Sequence, residues 1–162
     1  MKRDFDLIRN NKKEKLIPEL RFNEFKGEWE EIEFSDYFKF LRSNSFSRNQ
    51  LGYEEGEVLN IHYGDIHSKF SSLFFASHEK VPYVNNKVGL SKFMEEDYLR
   101  EGDVVIADAS EDYKDIGKSI EIIDLGGKKA LAGLHTIPIR PEEPESHGFL
   151  GNLMKTWCIR HE

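Results

Sequence analysis

Cysteine is almost absent from this sequence: Cys158 is the only one among 162 residues. One thiol can form neither an internal disulfide nor a Cys-rich zinc site, which favours a reducing compartment. Long apolar runs are also missing, since no stretch approaches the about 18 apolar residues that a membrane-spanning helix needs. The first residues carry scattered charges and no apolar signal segment. We therefore expect a soluble, cytoplasmic protein with no membrane partner.

Basic residues are in short supply, because 23 Lys and Arg stand against 30 Asp and Glu and give a net charge of −7. That balance argues against nucleic-acid binding, since DNA affinity depends on cations that neutralise phosphates. The acids are unevenly spread, however. The acid-free segment, residues 37–53, contains no carboxylate and carries Lys39, Arg42 and Arg48. Arg reads guanine, Asn and Gln read adenine, and Ser bonds phosphates, so the segment is a candidate DNA contact; a polar surface loop is the alternative.

Motifs for nucleophilic or phosphate chemistry are missing. No Gly-x-Ser-x-Gly elbow occurs, and the Gly126-Gly127 pair is not followed by the Gly-Lys-Ser/Thr of a phosphate loop. Cys158 falls on a predicted helix, where a packed thiol is favoured over a reactive one. Catalysis of these kinds is not expected.

A metal-dependent phosphoesterase is a second enzyme interpretation. His62, Asp65 and His67 resemble the opening metal motif of the metallophosphoesterases. Ser68 stands where that family has glycine, and the later ligand motifs do not follow. Because a hydrolytic site needs three or more convergent ligands, polar residues at a strand end are the favoured interpretation.

A two-metal nuclease is a third enzyme interpretation. Its candidate carboxylates are Asp108, Glu111 and Glu121. Ile122 and Ile123 follow Glu121, so the Glu-x-Lys pair that such nucleases place on a strand is missing. Solvated turn carboxylates are favoured.

The length predicts one domain of ordinary size. Residues 1–16 are polar, with six Lys or Arg, and predict a flexible basic leader ahead of a single domain at 17–162. Short apolar runs between turns, without regular strand–helix alternation, predict a mixed, strand-rich α+β fold. The predicted strands are 30–34, 58–61, 81–84, 104–107, 120–123 and 136–140, the last an edge strand because of Pro138, and the predicted helices are 37–41 and 148–160.

Four short stretches resemble a known family. Residues 18–22 (PELRF) and 25–30 (FKGEWE) resemble the opening of a target recognition domain in specificity subunits of type I restriction–modification systems. Residues 130–141 (ALAGLHTIPIRP) look like the phrase that closes the same domain. Residues 99–107 (LREGDVVIA) are similar to its Gly-Asp strand entry, although residues 108–110 (DAS) stand where the family often has Ser-Gly. The resemblance covers roughly residues 17–160.

The resemblance implies a module that reads double-stranded DNA without catalysis of its own, with a fold like the DNA-binding domain of adenine methyltransferases. A whole specificity subunit of this family carries two such domains, and long helices between them bind two modification subunits. S-adenosylmethionine, ATP and Mg²⁺ belong to the modification and restriction subunits, so this chain is expected to hold no cofactor. The spacer helix and the second recognition domain are absent from this sequence, which implies a truncation, a split half-subunit or an isolated domain.

Contact residues vary among members of this family, so the candidates follow from side-chain chemistry. Arg42 and Arg48 are expected to read bases or to clamp phosphates. His135 lies in the closing phrase, where a structural role is the alternative. The remaining candidates, which would hold phosphates, read bases or flank the same face, are Lys39, Ser43, Asn44, Asn49, Gln50, Tyr63, Lys69, Lys114 and Lys118.

A protein-interaction domain is the competing class. Such a domain would descend from the recognition fold and dock on a methyltransferase without reading DNA. The net acidity and the missing spacer keep this interpretation open.

Overall fold

The computed structural model describes residues 17, 20–24, 26–28, 31–110, 112, 115–156 and 159. The chain divides into two compact units, Met1–Glu33 and Phe34–Glu162. In the first unit, Arg21 Nη1 donates a hydrogen bond to the carbonyl of Gly27 at 2.9 Å. The predicted basic leader, residues 1–16, lies outside the described residues.

The second unit contains the regular elements, which are short. The helices among its described residues are α1 (Phe34–Tyr37), α2 (Tyr63–Ser68) and α3 (Phe149–Leu153). The strands are β1 (Phe38–Phe40), β2 (Leu51–Gly52), β3 (Val58–Ile61), β4 (Leu73–Phe75), β5 (Tyr83–Val84), β6 (Val104–Ala107), β7 (Ser119–Asp124), β8 (Lys129–Ala132) and β9 (Thr136–Pro141). The predicted mixed α+β class is therefore confirmed, while the likeness to a methyltransferase DNA-binding domain stays a prediction.

The described strands form two mixed sheets. The large sheet has the order β1-β9-β6-β7-β4, and the small sheet has the order β2-β5-β3-β8. β3 pairs with β8 in parallel, and β4 pairs with β7 in parallel, whereas the other neighbours are antiparallel. Both parallel pairs bring together strands that are far apart in the sequence, as parallel pairing requires.

The main hydrophobic core joins the two sheets. Leu59 and Ile61 of the small sheet pack in one cluster with Val105, Ile120 and Ile122 of the large sheet. Successive side chains of a strand point to opposite faces of its sheet. The residues that alternate with these core residues therefore face away from the shared interior. The two sheets therefore share an apolar interior, and each has a second face to cover.

Those second faces are covered by different parts of the chain. On the large sheet, Val104 and Ile139 pack against Leu150 of α3. On the small sheet, Val58 and Leu131 pack under Phe46 and Phe93, which come from loops. The outer surface of the small sheet is thus made by loop residues, including part of the acid-free segment.

The predicted order of strand and helix at residues 30–41 is wrong. Phe34–Tyr37 is helical, and the strand Phe38–Phe40 follows it, whereas a strand at 30–34 and a helix at 37–41 were expected. The physical reason is long-range pairing: β1 lies antiparallel to β9 with Phe38 opposite Pro141. Phe38 is buried by this pairing, and its ring packs 4.5 Å from that of Phe34.

The prediction of an edge strand at 136–140 is also wrong. β9 lies inside the large sheet, between β1 and β6. The carbonyl of Pro138 accepts a hydrogen bond from Leu41 N at 2.9 Å, so the Pro138 nitrogen also faces the β1 side, at the point where that strand ends. An internal proline is tolerated because its missing N–H falls beyond the last paired residue of β1.

The other predicted elements agree with the structure to different extents. The strands at 58–61 and 104–107 are confirmed, and 120–123 is confirmed within Ser119–Asp124. The strand expected at 81–84 is reduced to Tyr83–Val84. The terminal helix exists but is shorter than expected, because α3 ends at Leu153 and the chain continues in a turn through Thr156.

Candidate nucleic-acid interface

The acid-free segment is anchored to the small sheet by a buried amide. Asn44 Nδ2 donates to Asn60 Oδ1 and to the carbonyl of Ala132, both at 2.8 Å. Its Oδ1 accepts from Phe46 N at 3.0 Å, and Phe46 is buried beside Phe93. The Asn44 side chain is therefore committed to contacts within the protein, and it holds the loop that carries Arg42 and Arg48.

A close backbone approach supports this anchor. A Cβ atom at Gly133 would lie 2.7 Å from the carbonyl oxygen of Ile61 and 2.8 Å from Asn60 Nδ2. Contacts that short do not occur at real Cβ atoms, so residue 133 needs to be glycine for the segment after β8 to pass β3. Asn60, whose Oδ1 accepts the hydrogen bond from Asn44, lies at this close approach.

The next residues of the segment form a tight turn. Ser47 N donates to Gln50 Oε1 at 3.0 Å, and Ser47 Oγ bonds both Asn49 Oδ1 and Gln50 Oε1. The carbonyl of Asn49 accepts from Asn85 Nδ2 at 3.1 Å. Asn49 and Gln50 thus shape the one-turn 3-10 helix that begins at Arg48, while Ser43, earlier in the loop, is exposed.

Arg42 is supported by a backbone carbonyl and an aromatic ring. Its Nη1 donates to the carbonyl of Lys92 at 2.9 Å, and its guanidinium carbon lies 5.2 Å from the centre of the Phe93 ring. Lys92 Nζ lies 5.2 Å from the same ring and 5.3 Å from that of Phe46. Two exposed cations therefore stand over one buried aromatic pair, in cation–π geometry.

A second group of cations surrounds a buried carboxylate. Asp65 Oδ2 accepts from Arg48 Nη1 at 2.9 Å, while Oδ1 accepts from Arg48 Nη2 at 3.3 Å and from Lys69 Nζ at 2.7 Å. Lys69 Nζ also donates to the hydroxyl of Tyr53 at 3.3 Å, and Lys80 Nζ lies 5.2 Å from the centre of the Tyr53 ring. These five residues are the Asp65 cluster.

The ion pairs of the cluster favour the charged forms of Asp65, Arg48 and Lys69. Burial alone would raise the pKa of Asp65, but hydrogen bonds from Arg48 and Lys69 outweigh it and hold that pKa below its ordinary value. The hydrogen bond to Asp65 raises the pKa of Lys69 above its ordinary value. One carboxylate against Arg48 and Lys69 leaves a local excess of positive charge, to which Lys80 adds.

Tyr63 gathers three histidines next to the Asp65 cluster. Its ring centre lies 4.6 Å from that of His62, 6.0 Å from His67 and 5.3 Å from His135. His135 has a left-handed backbone, with φ 54°, and its half-exposed ring places Nδ1 3.5 Å from Asp108 Oδ1. The predicted residues Tyr63 and His135 are therefore brought together.

The unfolding free energy should depend on the protonation of His62. Burial, followed by the positive charge of Arg48, lowers the pKa of His62 from 6.5 to about 4. The unfolded chain takes up this proton below about pH 6.5, whereas the folded protein does not until about pH 4. We therefore expect the free energy of unfolding to fall as the pH drops through this window, as measured by denaturant titration at several pH values.

A matched pair of variants checks this assignment. The neutral His62 ring accepts a hydrogen bond from Gly64 N at its Nδ1, at 3.2 Å, and Asn at position 62 can accept the same bond. His62→Asn should flatten the dependence between pH 6.5 and about 4, whereas His78→Asn, at an exposed turn position, should leave it in place. An unchanged profile in His62→Asn would assign the effect to other groups.

The three remaining predicted lysines are not members of the Asp65 cluster or lie outside the described residues. Lys39 on β1 pairs with Glu96 at 3.8 Å. Lys118 pairs with Asp115 at 2.8 Å and donates to the carbonyl of His67 at 3.4 Å. Lys114 lies outside the described residues, so its predicted role stays a prediction.

The described candidate metal ligands bond other groups of the protein. Both oxygens of Asp65 face cationic side chains, and His67 Nε2 bonds the carbonyl of Ala109 at 2.8 Å. Glu121 is buried and accepts two backbone N–H groups at the start of α3, while Glu111 lies outside the described residues. In the described part of the chain, no three or more His, Cys, Asp or Glu side chains are grouped so as to hold a metal ion.

Sequence reasoning missed several members of the interface. In the sequence, Tyr53 marks only the boundary of the acid-free segment, Lys80 and Lys92 have no predicted role, and Asp65 is a candidate only as a metal ligand. Lysines beside aromatic residues, as at Lys92-Phe93, are a weak signal in the sequence. The partnership of Arg48 with Asp65 has no signal, because the two residues are 17 positions apart.

None of the helices in the described part of the chain combines the length and the apolar character that crossing a membrane requires.

No protein-family model matches the chain, and no curated protein shows significant sequence similarity to it. The resemblance to type I specificity subunits therefore rests on the short stretches at residues 18–30, 99–107 and 130–141.

Proposed function

We propose that the chain is a recognition module for double-stranded DNA, and that its contact surface is the acid-free segment with the cations around it. The observation that carries the proposal is one anchored loop that carries two exposed cations and has three more around it. Among the described residues, Asp65 is the one carboxylate within ion-pair distance of any of them. The cations are Arg42, Arg48, Lys69, Lys80 and Lys92.

This arrangement suits the binding of a polyanion whose phosphates lie on its outside, as in duplex DNA. Phosphate oxygens need exposed donors in a fixed register, and loops held by a rigid sheet supply them. Asn44 fixes the loop, and Phe93 and Tyr53 support cations from below. The net charge of −7 does not oppose this use, because affinity depends on the charges that face the phosphates.

The resemblance extends the proposal to a place in a larger system. As a target recognition domain, the chain would direct adenine methylation and cleavage by modification and restriction subunits. S-adenosylmethionine, ATP and Mg²⁺ would act in those subunits. The cytoplasm, where such subunits meet genomic DNA, is the compartment that this function requires.

The proposal predicts salt-dependent binding of duplex DNA. If three of the five cations reach phosphates, the logarithm of the association constant should fall with the logarithm of salt concentration with a slope of about −2.7. Fluorescence anisotropy of a labelled duplex between about 50 and 200 mM salt measures this slope. Binding that is undetectable at the low end of this range would contradict the proposal.

Arg42→Ala tests whether part of the surface reads bases. On a duplex enriched from a random library, the variant should lose about 1–3 kcal/mol of binding free energy for one base identity. Arg100→Ala, which removes an exposed arginine from the turn before β6, is the matched control and should bind like the wild type. An equal loss on all sequences would assign Arg42 to the phosphates instead.

Docking on another protein is a second candidate function, favoured by one observation. β1 is an edge strand of the large sheet, and it exposes Phe40, whose ring centre lies 6.2 Å from that of Phe34. Exposed aromatic residues on an edge strand are typical of a contact surface. A chain that only docks would show no affinity for duplex DNA in the salt titration.

A further inference from the structure

We propose that the Asp65 cluster is a phosphate clamp, in which Arg48, Lys69 and Tyr53 bind one backbone phosphate and Asp65 is their positioning residue. The inference rests on the proposed DNA-binding function and deepens it, because it assigns this part of the surface to the DNA backbone and not to the bases. Arg42 is left as the candidate base reader.

The burial pattern of the cluster separates a support from a contact surface. The Asp65 side chain is 0% exposed, whereas the side chains of Arg48 and Lys69 are 49% and 47% exposed. Asp65 also lies on α2, and the carbonyl of the same residue accepts hydrogen bonds from Lys69 N at 2.9 Å and Phe70 N at 3.0 Å. The carboxylate is thus a fixed point inside the protein, from which two cations reach the surface.

The hydrogen-bond geometry favours phosphate over a base as the ligand. A guanine is read by two N–H groups of one guanidinium that point the same way. In Arg48, Nη1 and Nη2 already donate to Asp65, so the pair between the terminal nitrogens is occupied and only the pair on the Nε side remains. A phosphate oxygen needs only single donors from different directions, which the remaining N–H groups of Arg48 and Lys69 and the Tyr53 hydroxyl supply.

The charge of the clamp and the fixed positions of its side chains also favour a phosphate ligand. Two cations and one carboxylate leave one excess positive charge at the clamp, which attracts a phosphate. Lys69 is further held by the hydroxyl of Tyr53, at 3.3 Å, and its ammonium lies 5.6 Å from the centre of that ring. Side chains that are already fixed lose less conformational entropy when the ligand binds.

The first test removes each cation in turn from the full chain. Arg48→Ala and Lys69→Ala should each lower the affinity for duplex DNA about tenfold at about 50 mM salt, and make the salt slope less negative by about 0.9. The loss should be equal on two unrelated duplex sequences, because a phosphate contact carries no sequence information. Thermal unfolding under the same conditions checks that each variant is folded; Lys69→Ala leaves Asp65 its two bonds from Arg48.

Lys129→Ala is the matched control. Lys129 also forms a 2.7 Å ion pair, with Glu95, and its ammonium also lies over a tyrosine ring, 4.6 Å from the centre of Tyr98. It begins β8, at the opposite edge of the small sheet from β2. The variant removes the same charge and the same kind of contact, and it should bind DNA with the wild-type affinity and slope.

The second test addresses Asp65 itself. Asp65→Asn keeps the size of the side chain and adds one positive charge to the surface, so simple attraction predicts tighter binding. The positioning role predicts the opposite: the released cations should bind the duplex about twofold to tenfold more weakly. Tighter binding would overturn the positioning role.

The outcomes separate this inference from the proposed function. If the wild-type chain binds no duplex, the proposed function fails. If it binds, but Arg48→Ala and Lys69→Ala behave like Lys129→Ala, the clamp is overturned while DNA binding stands. A loss that is confined to one of the two duplex sequences would also overturn it, because it would show base reading.

Discussion

Replacing Asp103 with alanine is expected to lower the free energy of unfolding by about 3–5 kcal/mol. The Asp103 side chain is 1% exposed and accepts from Arg140 Nε at 2.8 Å, from Arg140 Nη2 at 2.7 Å and from Arg100 N at 2.8 Å. Without the carboxylate, the largely buried guanidinium of Arg140 loses its counter-ion. An uncompensated buried charge costs far more than an exposed ion pair contributes.

Denaturant unfolding of matched variants measures this loss. Lys129→Ala breaks the ion pair with Glu95, in which both side chains are more than half exposed, and should leave the free energy of unfolding close to the wild-type value. The double variant Asp103→Leu/Arg140→Met should recover most of the loss, because no charge is left buried. A loss below about 1 kcal/mol in Asp103→Ala would contradict the role of the pair.

This ion pair gives a physical meaning to two of the family-like stretches. Asp103 belongs to the Gly-Asp entry of β6, and Arg140 lies near the end of the closing phrase on β9. Arg140 Nη2 also donates to the carbonyl of Tyr98 at 2.9 Å, and Nη1 donates to that of Glu96 at 3.3 Å. The two stretches therefore meet in space, where they lock the loop before β6 to the large sheet.

Glu121→Ala is expected to lower the free energy of unfolding by about 2–4 kcal/mol. Glu121 is buried in β7, and its two carboxylate oxygens accept Gly148 N at 2.7 Å and Gly151 N at 2.6 Å. The variant leaves these donors without partners and opens a cavity between β7 and α3. Glu121→Gln keeps the volume but offers a single acceptor oxygen, so it should lose roughly half as much.

The same variants separate a structural carboxylate from a catalytic one. Denaturant unfolding should show the loss, and amide hydrogen exchange should show that Leu150 and Met154 lose protection first, because they belong to α3 and to its C-terminal end. Glu95→Ala, at an exposed carboxylate, is the control and should leave both measurements unchanged. A Glu121 variant of wild-type stability would refute this support of α3 and reopen the nuclease interpretation.

Elements with strong local signals could be predicted from the sequence. Val104–Ala107 is an apolar run bounded by turn residues, and Val58–Ile61 is apolar except for Asn60; most of these side chains are buried. A Gly-Gly pair is a local turn signal, and Gly126 and Gly127 lie in the turn after β7 with positive φ, 61° and 73°, which glycine adopts without strain. In each case the signal lies within a few residues.

Elements that depend on distant partners could not be predicted. Residues 34–40 contain aromatic side chains that suit a helix or a strand, and the pairing of β1 with β9 decided the order. Proline at position 138 argued for an edge, yet the position of its nitrogen beyond the end of β1 allows an internal strand. Local propensity is weaker than the burial and hydrogen bonding that a sheet supplies.

The candidate interface also has one feature that the sequence shows and others that depend on the tertiary structure. Its location follows from the sequence alone, because a stretch without carboxylates, residues 37–53, is visible in a chain rich in acids. The contacts of each cation were decided only by the tertiary structure, which brings Arg48 to Asp65 and Arg42 to Lys92, 17 and 50 positions away. Charge composition is a property of the chain, but the direction and the partners of a side chain arise only when distant segments pack together.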